Sequence, residues 1–80
     1  MMHASTIAEQ LRDMAARYNA AVAAPKIRPR RLVAEEAHKL AFDAIQKLQV
    51  LPSDESKLIA AAEAMLMDIR WGRPTSQFGF

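Results

Sequence analysis

The side chains of this 80-residue chain that could do chemistry are few: two histidines, a pair of adjacent carboxylates at a helix start, some serines and a run of cations. His38 has Glu35 one helical turn away, where a zinc-protease helix would need a second histidine four residues off, and His3 lies on another segment. Both read as ordinary surface or boundary histidines. Without cysteine, and with no serine in a strand-turn-helix elbow flanked by glycines, nucleophilic catalysis has no starting point. Gly72 and Gly79 cannot build a phosphate cradle, which needs several glycines ahead of a helix. Asp54 and Glu55 lack calcium-loop spacing and suit the positive end of a helix dipole. The expectation is a non-enzymatic protein with no catalytic or metal-binding residues, no cofactor and no small-molecule substrate.

The strongest single feature is Lys26, Arg28, Arg30 and Arg31, four cations within six residues. So spaced, they can contact an acidic protein surface or consecutive phosphates. The plainer reading is solvated residues whose stems cover apolar surface. The net charge is +2, but residues 1–31 hold six Lys or Arg against two acids, and residues 32–80 hold five against seven. A local excess of this size suits attraction to an acidic partner and falls short of a dedicated polyanion binder. A helix-turn-helix reader would carry polar side chains on its second helix, whereas the last helical segment here is alanine-rich and apolar. Nucleic acid is therefore the alternative expectation, met through phosphates and weakened by salt.

The elements that must position these residues are three amphipathic helices. A first helix is expected near residues 6–23, opened by a capping box of Thr6 and Glu9 and closed before Pro25. Its stripe is Ile7, Leu11, Met14, Tyr18 and Val22, with Asp13 and Arg17 paired on the polar side. Residues 25–31, with two prolines, form a basic hinge. A second helix follows over about 30–50, with Val33, Ala37, Leu40, Ala41, Ala44, Ile45 and Leu48 on one face and Phe42 off it. Pro29 suits the first helical position. Residues 51–53 turn the chain, with Ser53 as the N-cap of a third helix over about 54–70 and Gly72 as its stop. So short a connection favours an antiparallel hairpin of the second and third helices, on which the first packs.

The third helix is apolar almost all round, from Leu58 to Ile69, and a helix of that kind wants cover on more than one side. Ile59, Leu66 and Met67 are the expected oligomer or partner face, beside the outward positions Glu63 and Arg70. The tail, residues 71–80, holds Trp71, Arg73, Phe78 and Phe80, and aromatics with Arg dominate binding hot spots. Trp71 is expected to fold back and close the core. Phe78 and Phe80 stand open between core and partner.

Eighty residues make one domain, and a chain of this size buries only about 60% of its unfolded surface. With no disulfide to reinforce a thin core, self-association is the remaining support, so a dimerising all-α three-helix bundle is expected. No basic cluster precedes an apolar run at the start, and no stretch is long and apolar enough to span a bilayer, which predicts a cytoplasmic protein that does not meet the membrane. The functional expectation is an interaction module or small inhibitor and regulator that binds and blocks a larger complex with an acidic surface. Small cysteine-free helical proteins without an active site include many such inhibitors, among them phage and mobile-element products that act on host defence complexes.

Overall fold

The computed structural model describes residues 3–24 and 26–78, with Ile27 and Arg28 described for their backbone alone. It holds three helices, α1 (Ala4–Ala23), α2 (Ile27–Gln49) and α3 (Ser56–Arg70), and no strand among the described residues. Both α1 and α3 lie along α2, and they meet each other far less than either meets α2. Ile7 shares a groove with Ala44 and Lys47 while Arg17 pairs with Glu36, so α1 runs antiparallel to α2. Ala34 and Glu35 lie beside Ile69 and Arg70, so α3 is antiparallel to α2 as well. The result is the expected hairpin of the second and third helices with the first packed on it.

The reason is the apolar spacing. Ile7, Leu11, Met14, Ala15 and Tyr18 on α1, Ala37, Ala41, Ala44 and Leu48 on α2, and Ala62, Met65 and Ile69 on α3 form one buried core. The alanines of α2 face inward at intervals of three and four, which lets larger side chains of both neighbours fill the space against its backbone. Each large buried side chain contributes about 1.5–3 kcal/mol of transfer free energy. Val22, Val33, Leu40 and Ile45 pack half-buried at the margin of this core.

Helix ends depart from expectation. The first helix begins at Ala4 with His3 as an N-cap that makes no side-chain bond, so Thr6 and Glu9 form no capping box. The earlier start lets Ala4 pack against the core. Residues 27–31, expected as the end of a hinge, are already the first turn of α2. A first-turn amide has no intrahelical acceptor, so Pro29 sacrifices no bond there. The third helix starts at Ser56, and Ser53 bonds Glu55 instead of capping it. Asp54 accepts hydrogen bonds from the Ser56 amide and hydroxyl, and this donation holds its carboxyl below the usual range. Arg17 pairs bidentately with Glu36 of α2, at 3.0 and 3.2 Å, instead of with Asp13.

Candidate functional site

At the C-terminal end of α3 the chain makes a tight reversal. The Arg73 amide donates to the Asp68 carbonyl and the Gly72 amide to the Ile69 carbonyl, while Gly72 takes φ 68°. This pair of bonds around a left-handed glycine is the Schellman arrangement, and it confirms Gly72 as the stop. The reversal brings Arg73 Nε to 2.6 Å from the buried carboxylate of Asp68. From α1, the Tyr18 hydroxyl donates to the Arg73 carbonyl at 2.9 Å, with the Asp68 carbonyl at 3.4 Å. Asn19 then treats Thr75 as a strand would: its Nδ2 donates to the Thr75 carbonyl and its Oδ1 accepts from the Thr75 amide, both at 2.8 Å. Burial pushes the Tyr18 phenol above its ordinary pKa, the Asp68 charge adds to the rise, and Arg30 opposes it. These side chains form a polar clamp between α1, α3 and the tail. Arg73, a tail residue open between bundle and partner in the sequence, donates into this clamp while its side chain stays 58% exposed. The signal for the clamp was Asp68, an acid in the apolar run of α3, five residues before an arginine across a glycine.

Trp71 does the opposite of what was expected. It is 73% exposed, and its indole Nε1 lies 3.3 Å from Met67 Sδ on the outer surface. As the C-cap of α3 it precedes the reversal, and the tail that folds back beyond it contributes Thr75 and half-buried Phe78 to the interior instead. Phe80 lies outside the described residues, as does the side chain of Arg28.

Beside Trp71 a shallow groove of about 410 Å³ runs between α2 and α3, lined by His38, Phe42, Glu63, Leu66, Met67 and Arg70. Phe42 is 50% and Met67 47% exposed, so Phe42 meets neither α1 nor the core fully. Leu66 is half-buried, and Ile59, expected on the same outward face, turns partly into the core. Glu63 and Arg70 bracket the apolar residues, and neither forms an ion pair among the described residues.

The remaining predicted residues gather at the same end of the bundle as Trp71, because α2 begins where antiparallel α3 ends. Lys26 and Arg31 are exposed and Arg30 half-buried. Lys26 is the N-cap of α2 and Arg30 belongs to its first turn, which carries no acidic residue. Unpaired amides give a helix N-terminus a partial positive charge, so these cations stand where the helix field repels them.

The chain matches no protein-family model. Comparison with curated proteins and with solved structures gives no match either. Among the described residues no three His, Asp or Glu side chains are grouped to hold a metal ion, and no helix is long and apolar enough to cross a membrane. A second groove, about 240 Å³ between α1 and α2, has apolar walls of Ile7, Leu40 and Ala44 and a rim of alternating charge, with no nucleophile and base in reach of each other.

Proposed function

We propose that this chain is a non-enzymatic interaction module that docks on an acidic surface of a larger protein assembly and blocks it. That is the mode of action of small inhibitors carried by phages and other mobile elements against host complexes, and a cytoplasmic site of action and a homodimeric form belong to the same reading. The observation that carries it is the placement of Lys26, Arg30 and Arg31 at the N-terminal end of α2, with no acid in the first turn, at the same end of the bundle as an exposed tryptophan. Cations there cost stability, roughly 0.3–1 kcal/mol each at a surface terminus. Such local conflicts concentrate at functional sites, and an acidic partner removes this one. Charge of this kind steers the encounter, and an exposed aromatic at the same end supplies contact area at small entropic cost.

The test pairs a double variant, Lys26→Glu with Arg31→Glu, with Trp71→Ala, and compares what each and the unaltered chain retain on a column with and without nuclease. The charge variant should unfold at the same or a higher temperature and lose the nuclease-resistant partner that the unaltered chain retains, and Trp71→Ala should lose it too. Retention of the same partner by both variants overturns the reading. Binding that nuclease abolishes, and that falls steeply with salt on a generic duplex, transfers the basic end to nucleic-acid phosphates instead.

A further inference from the structure

We infer that the groove face of α3 is covered by a second copy of this chain, packed antiparallel about a two-fold axis that passes between Leu66 and Met67. The inference deepens the interaction reading by naming one partner, and it uses a different surface from the basic end.

Charge and spacing on α3 both favour this pairing. Glu63 and Arg70 are exposed, of opposite sign and unpaired among the described residues, and both line the groove. Seven residues apart, they sit on nearly the same line of the helix but about 10.5 Å from each other along its axis, too far to pair within one chain. The midpoint between them falls between Leu66 and Met67. A two-fold axis there sets Glu63 of each copy against Arg70 of the other and brings the apolar pair of one copy onto that of its mate. Any two-fold interface must be complementary to itself, and this face satisfies that in both charge and hydropathy. A parallel arrangement would set Glu63 against Glu63 and Arg70 against Arg70.

Phe42 from α2 lines the same groove and widens the apolar area, and half-buried Leu66 gives it a floor continuous with the core. Trp71 follows Arg70 by about 100° of rotation around the helix and its indole reaches Met67 Sδ, so it borders the interface at its margin. Since the paired third helices run in opposite directions, the basic ends of the two copies lie at opposite poles of the dimer.

The experiment is sedimentation equilibrium on the full chain and four derivatives. Glu63→Arg and Arg70→Glu each place two pairs of like charges across the axis and should raise the dimer dissociation constant by about tenfold or more. The double exchange, Glu63→Arg with Arg70→Glu, should restore it. An equimolar mixture of the two single variants should form a heterodimer, since all cross-axis pairs are then attractive. Met67→Glu should give a monomer of unchanged helical content by circular dichroism. A monomeric unaltered chain, single variants that dimerise as well as the parent, or a double exchange that stays monomeric overturns the inference. A monomer that still retains an acidic partner through Lys26 and Arg31 defeats the dimer alone, and a dimer that retains none defeats the docking function alone.

Discussion

The clamp and the groove face lie within a few residues of each other on α3, and they treat polarity in opposite ways. The clamp buries polar groups: Asp68 and Thr75 are almost fully enclosed, and Tyr18 with them. The face exposes apolar ones, Phe42, Met67 and Trp71. A protein short of core would be expected to draw its largest side chains inward, yet here Trp71 is left outside while a threonine is buried and an asparagine half-buried. The difference separates two tasks. The clamp fixes where the tail goes, because each buried polar group accepts only a partner of matching geometry. The face fixes nothing within the chain and is therefore free to meet something else.

That comparison breaks most visibly at Asn19. Replacing it with alanine strands both the amide and the carbonyl of Thr75 in a partly buried setting, and a stranded buried group costs about 1–3 kcal/mol. The denaturation midpoint of Asn19→Ala should fall by about 2 kcal/mol in stability, the largest effect of this set. Next comes Tyr18→Phe, which removes one hydroxyl donor and should cost about 1 kcal/mol at neutral pH. The phenol's pKa is raised above its ordinary value of 10 in the folded chain, so its contribution is complete below that value and is lost as pH rises through the folded pKa. Urea titrations between neutral and alkaline pH should therefore show a stability gap between parent and Tyr18→Phe that closes at the alkaline end. A gap that widens would reverse the sign argued here.

Thr75 sharpens the same contrast from inside the clamp. Its backbone is satisfied, but its Oγ1 is buried with no hydrogen-bond partner among the described residues. Thr75→Val keeps the shape and removes the unsatisfied hydroxyl, and should raise stability by up to about 1 kcal/mol, seen as a higher melting temperature. On the face, Met67→Gln removes an apolar side chain that is already half in water, and the stability of the monomer, measured at a concentration below dimer dissociation, should move by no more than about 0.5 kcal/mol. A loss of several kcal/mol in the monomer would mean that the face is core.

The helices themselves were legible because their evidence is periodic and redundant. Every member of the stripe from Val33 to Leu48 is buried or packed at the core margin, and no single residue had to be read correctly for that outcome. Helix starts were not, since capping residues compete with packing: Ala4 reaching the core outweighed a capping box at Thr6, and Pro29 proved as acceptable inside the first turn as at its edge. The tail was misread because its outcome hangs on one backbone reversal at Gly72. The stop was evident, but the direction in which it throws Trp71 and Arg73 depends on Asp68, Tyr18 and Asn19, up to 56 residues away in sequence. The basic residues were evident as a cluster. What the observed helix boundary adds is Lys26 as the N-cap of α2.

The long span of that clamp also orders events in time. The α1–α2 and α2–α3 pairings each join neighbouring helices and close short stretches of chain, whereas the bonds from Tyr18 and Asn19 to residues 73 and 75 close nearly the whole of it. Closure over such a length is entropically dearer and comes after local pairing in folding. The Thr75 amide, held by a side chain and not by a helix, should then exchange its hydrogen by release of the tail alone, well before the helices open. Residues 71–78 should thus act as a latch that closes on a finished bundle, and cutting the chain between α2 and α3 would leave two fragments still tied together at the far end.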